Sequence, residues 1–426
     1  MSIKPVLQFI AFLAPLFTFA QQQFSQSLQN MPGVTVTQVK HNDFKEYYEI
    51  MVEQPLDHFN PGAKVFKQRI FVGINDPVAP TVMETEGYAV NRPAMPDFLK
   101  GCNYVSVEHR YFGKSVPDNS DWTYLTIKQA AYDCHHIHEL LKPILTGKWM
   151  TTGISKGGQT AIAYKMYFPN DADATLAYVT PVKNGLNDNR IQNRMDSLAK
   201  TETGKKVYAF QKNAFINKAE LLKTFDAFIY DNHYKFGRLK SETVLEYMLL
   251  EYPFAFFQNG GDTSLIPAAT ASPKQALDEI VNVVPIWFFT ETFRPKLQPS
   301  FYMFYNELGY YEYNLIPYKQ WLSAKSYPNN IFAPQNISVT FDPTYLNDLQ
   351  KFISKPTIER LIFIYGELDP YTAAQAPVEN NKNCLKLIVK GGSHKSRVAH
   401  LSAEQQQQVY GRLSAWLSWP IGVTGK

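Results

Sequence analysis

The chain has 426 residues, with 42 Lys and Arg against 38 Asp and Glu and a formal charge of +4. So small an excess, with no basic run, gives no nucleic-acid footprint, and 45% apolar residues over this length argue against a disordered chain and supply a sizeable core. Three cysteines, Cys102, Cys134 and Cys384, allow at most one internal disulfide and exclude a disulfide-stapled scaffold.

Lys4 precedes an apolar run over residues 5–19, and Thr18-Phe19-Ala20 offers small residues for cleavage. The expectation is a secretory signal peptide over residues 1–20, a mature chain from Gln21, and a secreted or periplasmic location. No cysteine sits at the cleavage position to carry a lipid anchor. No later run is long enough to span a bilayer, so no integral membrane segment is expected after signal cleavage.

Strand-like runs at residues 46–52 and 65–74 are followed by two more at 81–88 and 103–110. Residues 130–145 repeat apolar positions at helical spacing, and a short apolar strand then enters Gly153-Ile-Ser-Lys-Gly157. A helix is expected from about Gly158 to Phe168, then a strand over 176–182. Strands alternating with helices predict a mostly parallel sheet. From 187 to 347 the texture changes to helical periodicity, many lysines and dense aromatic clusters, which suit either a buried helical core or a cleft wall. The strand pattern returns at 360–365 and 385–390, and a last helix is expected over 403–416. The predicted fold class is α/β: an α/β-hydrolase core over 21–186 and 348–426, with a mainly helical cap inserted over 187–347.

A Gly-x-Ser-x-Gly sequence between a strand and a helix is the pattern of a nucleophile elbow, where glycines let a sharply turned serine and the helix pack closely. Serine needs a base to take its proton, and the base needs a carboxylate to hold its tautomer. In this fold class the order is Ser, acid, His, each after a strand. Gly366-Glu-Leu-Asp369 and Gly391-Gly-Ser-His394 follow the last two strands in that order, so Ser155, Asp369 and His394 are the candidate triad. Asp369 is preferred to Glu367 because Asp369-Pro370 makes a natural turn after the strand. The oxyanion donors expected are the N–H of Lys156 and that of Gly87 or Tyr88 in the loop after the third strand. His135, His136 and His138 have no Cys or carboxylate at ligand spacing, so no metal or cofactor is assigned. Glu108-His109-Arg110 reads as a buried structural ion pair.

Glu84-Thr-Glu-Gly-Tyr88, Glu108-His-Arg-Tyr-Phe-Gly-Lys-Ser-Val-Pro117, Gly153-Ile-Ser-Lys-Gly-Gly158, Glu251-Tyr-Pro-Phe-Ala-Phe-Phe-Gln258, Glu307-Leu-Gly-Tyr-Tyr311 and Tyr365-Gly-Glu-Leu-Asp-Pro370 together resemble the secreted bacterial tripeptidyl and prolyl aminopeptidases. These are relatives of lysosomal prolyl carboxypeptidase and dipeptidyl peptidase II. The resemblance covers nearly all of the mature chain. It implies a serine exopeptidase acting on peptide substrates, with Ser155, Asp369 and His394 as its triad. The high aromatic content of the cap leaves open the length of peptide removed.

An exopeptidase measures from a chain end and needs a counter-charge for it: a carboxylate for an α-amino group, Arg or Lys for a terminal carboxylate. Glu251, in an apolar cap run, is the first candidate for an ammonium partner, though a structural salt bridge with a cap lysine would equally explain it. Glu86 comes next and Glu246 third. The reading is a serine exopeptidase releasing short peptides, tripeptides foremost, from free N-termini. The alternatives are a prolyl carboxypeptidase-like or dipeptidyl peptidase-like enzyme, for which cap arginines such as Arg294 become relevant, and an esterase or lipase.

Overall fold

The computed structural model describes residues 26–90, 95–118 and 121–422, so the expected signal peptide lies outside the described residues. Nine strands form one sheet: β1 (Val34–Gln38), β2 (Glu46–Pro55), β3 (Val65–Ile74), β4 (Thr81–Thr85), β5 (Asn103–Val107), β6 (Trp149–Ile154), β7 (Ala174–Tyr178), β8 (Leu361–Gly366) and β9 (Cys384–Val389). Their spatial order is β1-β2-β3-β5-β4-β6-β7-β8-β9. The pairs β1-β2, β2-β3 and β3-β5 are antiparallel, and all pairs from β5 to β9 are parallel. With helices on both faces, this is the predicted α/β-hydrolase arrangement.

Leu361, Phe363 and Tyr365 of β8 face one apolar core, and Ile362 and Ile364 face another. A strand covered on both sides has no polar face, which is why residues 361–365 are uniformly apolar. The first core also holds residues of α1 (Ile127–Leu141) and α2 (Lys156–Tyr167), and the second is closed by α10 (Ala403–Leu417) through Val409, Leu413 and Leu417. Two expected elements are displaced. The helix starts earlier than 130, because the Thr126 hydroxyl caps it by accepting from Gln129 N–H, and it ends at Leu141. β7 stops at Tyr178 because the next residue, Val179, has φ 44°. The sequence reading missed β1, a short edge strand without a fully buried side chain.

The cap builds its own core from α3 (Asn189–Ala199), α4 (Glu202–Ile216), α5 (Lys218–Asp231), α6 (Ser241–Asn259), α7 (Pro273–Val283) and α8 (Arg294–Met303). Helix α6 is buried nearly all round, as a central cap helix must be. Pro253 lies inside it and cannot donate to Leu249 O; the Gln211 side chain supplies that hydrogen bond instead, at 2.8 Å. Helix α9 (Thr344–Ile353) straddles residue 347, and its Tyr345, Leu346, Leu349 and Ile353 pack into the sheet core.

The Glu108-His-Arg block is a buried knot. Glu108 accepts from Arg69, from the N–H groups of Val90 and Lys114, and from the Ser115 hydroxyl. Arg110 reaches both Asp133 oxygens at 2.7 Å, and His58 shares that carboxylate at 2.8 Å. Burial pushes the Asp133 pKa up, but Arg110 and His58 pull harder and leave it lowered. All three cysteines are buried and free. Each histidine of the 135–138 cluster has a hydrogen-bond partner: Asp171 for His135, Gln54 for His136 and Glu139 for His138.

Asp133→Ala strands the buried Arg110 charge and should destabilise the protein by about 3–5 kcal/mol, read from urea unfolding near pH 7. Because the folded pKa is depressed, the carboxylate's contribution is present above an unfolded pKa of about 3.9 and is lost as pH falls through the folded value. A variant as stable as the parent refutes the structural role.

Candidate active site

β6 passes into α2 through Ser155 alone, at φ 54° and ψ −116°, a region sparse for any residue with a side chain. Its N–H donates to Tyr178 O at 2.8 Å, and its C=O accepts from Gln159 N–H at 3.0 Å. These bonds close the turn and hold the serine at the head of the helix. A Cβ on Gly153 would lie 2.4 Å from Gly157 O, and one on Gly157 would lie 2.4 Å from Thr85 O. The spacing of glycines around Ser155 is therefore a packing requirement.

Ile154, Tyr178, Ile364 and Leu387 are level across β6, β7, β8 and β9. The loops carrying Asp369 and His394 thus rise from the same sheet edge as Ser155. Asp369 is fully buried; its Oδ2 lies 2.7 Å from His394 Nδ1, and its Oδ1 accepts from Tyr371 N–H at 3.1 Å. The carboxylate selects the Nδ1–H tautomer and leaves Nε2 free to act as a base. Glu367 has another use, accepting from Gly391 N–H at 2.7 Å and so pinning the histidine loop. The His394 N–H itself donates to Gln258 O in the last turn of α6, at 2.9 Å. Among the described residues no hydrogen bond joins Ser155 Oγ to His394; such bonds commonly tighten only around substrate.

A cavity of about 1010 Å³ opens over Ser155 between core and cap. Tyr88, Lys156 and Lys183 line it from the core, and Glu251, Trp287 and Tyr310 from the cap. Glu251 accepts from the Tyr311 hydroxyl at 2.8 and 2.9 Å and from the Tyr313 hydroxyl at 2.8 Å. The Tyr311 ring is stacked on Phe254 at 4.0 Å. Burial pushes the Glu251 pKa up to about 7 against the pull of the two hydroxyls. Among the described residues no Lys or Arg forms an ion pair with it.

Glu86 does not line the cavity; burial, with Glu84 and Glu108 nearby, raises its pKa to about 8. Glu246 is fully buried and held by Lys218, Ser323 and Tyr327, so its charge is already matched. Arg294 also lies off the cavity, donating to Phe236 O at 3.1 Å. Lys183, unremarked in the sequence, donates to Gly309 O at 2.6 Å, and burial lowers its pKa to about 7 against the opposing charge of Asp188. Nothing in its local sequence marks it, nor does anything mark Tyr313 or the Gln258 carbonyl. Tyr311 stands in a motif, but only folding brings it to Glu251.

Gly87 and Tyr88 lie where the oxyanion loop was expected. A Cβ on Gly87 would lie 2.7 Å from Gly157 N, so the loop presses directly on the elbow. Tyr88 O accepts from His109 N–H at 3.2 Å, and Glu86 N–H donates to Val107 O at 3.1 Å. The Glu108 knot thereby holds this loop as well.

The arrangement suits acyl transfer: a strained serine lining the cavity, an oriented imidazole and a tethered amide loop packed on the elbow. Residues 21–423 match the model of the PS-10 peptidase S37 family. The chain is 27% identical over 423 residues to a prolyl tri/tetrapeptidyl aminopeptidase of Streptomyces mobaraensis, covering 95% of this chain and 87% of the relative. It is 29% identical over 169 residues to a probable serine protease of Arabidopsis thaliana, covering 33% of this chain and 35% of that one. Among solved structures it is similar to an acetyl xylan esterase from Paenibacillus sp. R4, at 10% identity and a TM-score of 0.38 over 93% of this chain and 92% of that one. The family match runs through core and cap alike, and the chain belongs to the PS-10 peptidase S37 family of serine peptidases.

Proposed function

We propose that this protein is a secreted exopeptidase that releases short peptides, tripeptides foremost, from free N-termini, with Ser155, His394 and Asp369 as its triad. The observation that carries the reading is Glu251: a carboxylate without a counter-cation among the described residues, lining the cavity that holds Ser155. Burial of such a group is unfavourable until a cation joins it, and a substrate ammonium is that cation. The aminopeptidase name of the Streptomyces relative supports this direction. Export rests on the sequence alone, on the apolar run over residues 5–19 with the small residues of Thr18-Phe19-Ala20 at its end.

Ser155 Oγ bonds to the scissile carbonyl carbon while its proton passes to His394 Nε2. The carbonyl π pair moves onto oxygen, toward the N–H of Lys156 and of the Gly87–Tyr88 loop. Collapse breaks the C–N bond, and the leaving amine takes the proton from His394. Water then repeats the sequence on the ester and releases the short N-terminal peptide with free Ser155.

Ser155→Ala should lower kcat by several powers of ten with an unchanged thermal midpoint. Activity within about tenfold of the parent would remove Ser155 as nucleophile.

N-acetylation of the substrate should lower kcat/KM by roughly 30- to several thousand-fold, corresponding to about 2–5 kcal/mol for an unpaired buried carboxylate. C-terminal amidation should be tolerated, and Glu251→Gln should shrink the gap between free and acetylated peptides. The reverse preference means a carboxypeptidase, and indifference to both ends means an endopeptidase or esterase.

The ratio of kcat/KM for free over acetylated peptide cancels the titration of groups that act equally on both. It should rise with pH as Glu251 ionises near 7, and fall above about 8 as the α-amino group deprotonates. A ratio flat across that range rules out ammonium recognition by Glu251.

A further inference from the structure

The side chain next to the nucleophile is used in an unusual way. Lys156 is 2% exposed, yet its ammonium group does not pair with a carboxylate within salt-bridge distance among the described residues. Its Nζ donates to the Gly87 carbonyl at 2.8 Å and lies near the rings of both Phe112 and Tyr88, 5.0 and 5.6 Å from their centroids. Burying a lysine to hold one neutral carbonyl is costly, so the carbonyl's orientation is what the contact secures.

That carbonyl belongs to the Gly87–Tyr88 peptide. No described peptide bond is cis, so its C=O and the Tyr88 N–H point in opposite directions. With the oxygen drawn to Lys156 Nζ, the Tyr88 N–H is turned away from it, and it donates to no protein acceptor among the described residues. Tyr88 and Ser155 line the same cavity, whereas Gly87 does not. The Gly87 N lies about the Gly157 backbone, 3.0 Å from where a Gly157 Cβ would stand, beneath the elbow. Neither loop N–H named from the sequence donates to a protein acceptor among the described residues; of the two residues, Tyr88 is the one that reaches the cavity, and so the one placed to meet a reacting oxygen. The loop is held on its far side too, through His109 N–H to Tyr88 O and Val90 N–H to Glu108. What remains free to rotate is the Gly87–Tyr88 peptide, and Lys156 locks it.

We propose that Lys156 is the positioning residue of the oxyanion hole: its Nζ holds the Gly87 carbonyl so that the Tyr88 N–H faces the oxygen developing above Ser155. The backbone N–H of Lys156 is the second donor, so one residue supplies one half of the hole and orients the other. The inference rests on Ser155 being the nucleophile.

The test is Lys156→Met, which keeps an unbranched four-atom stem and the backbone N–H but removes the Nζ donor. Losing one oxyanion donor lowers kcat by about 100- to 1000-fold. The expected result is a fall of that size in kcat with KM for a free-amine peptide within about threefold, since the oxyanion exists only in the transition state. The affinity for a peptidyl aldehyde, whose adduct places an oxyanion in the hole, should fall in parallel, while that for the corresponding product peptide should not. A general loss of fold would instead weaken both ligands and lower the thermal midpoint.

A second variant keeps the test decisive. Replacing Tyr88 by its α-hydroxy acid converts that amide to an ester and removes the N–H without touching Lys156. The two changes should not multiply, the double variant being within about threefold of the slower single one, as expected for groups acting as a unit. Full multiplication, or kcat of Lys156→Met within about threefold of the parent while Ser155→Ala is inactive, overturns the positioning role. An active Ser155→Ala protein would overturn the nucleophile assignment itself.

Discussion

The structure depends on one close approach, where β6, the first turn of α2 and the loop after β4 meet with only glycine between them. Gly153, Gly157 and Gly87 touch backbone atoms at distances no Cβ would tolerate. That contact lets Ser155 stand at a positive φ, a strain on the order of 1–3 kcal/mol held by the flanking hydrogen bonds to Tyr178 and Gln159. It also brings the Gly87–Tyr88 peptide against the elbow. The same packing thus exposes the hydroxyl and sets the amide loop beside it.

The cap contributes more than a roof. Glu251 and Gln258 lie seven residues apart on α6, about 10 Å along one rigid helix. The first faces the cavity, and the carbonyl of the second holds the His394 N–H. In the proposed mechanism, recognition of a chain end and placement of the base would share this single element. Gln211 repairs the break that Pro253 would leave between them, so the helix stays continuous at the point where it must transmit a fixed spacing. Arg194 of α3 adds a second tie from the cap to the acid loop through the Glu367 carbonyl.

Three of the charged groups lining the cavity, Lys156, Lys183 and Glu251, are poorly solvated. Burial lowers the pKa of Lys156 to about 7 against the opposing charge of Glu307, lowers that of Lys183 to about 7, and raises that of Glu251 to about 7. Among the described residues none of the three has a close ion-pair partner, and each is instead held by hydroxyl or carbonyl dipoles. In such surroundings a fixed dipole or a substrate charge acts far more strongly than it does in water.

The α/β-hydrolase class, the elbow at Ser155 and the strand ends bearing Asp369 and His394 could be read from the sequence because they are local. Strand periodicity, glycine spacing and turn residues act over a few positions, and a buried parallel strand shows itself as an apolar run. The edge strand β1, without a buried face, left no such mark. What the sequence could not settle is which polar groups meet. Glu251, Glu86 and Glu246 were equally acidic on paper; folding puts Lys218 on Glu246, leaves Glu86 off the cavity, and brings Tyr311 and Tyr313 to Glu251 across 60 and 62 residues. Lys156 likewise finds the Gly87 carbonyl 69 residues away. The fold class and the order of the chemical groups along the chain are legible in the residues alone, because those follow from short-range patterning. Which carboxylate is met by hydroxyls and not by a cation, and which carbonyl a buried lysine reaches, follow from folding, because burial and pairing depend on contacts between segments distant in the chain.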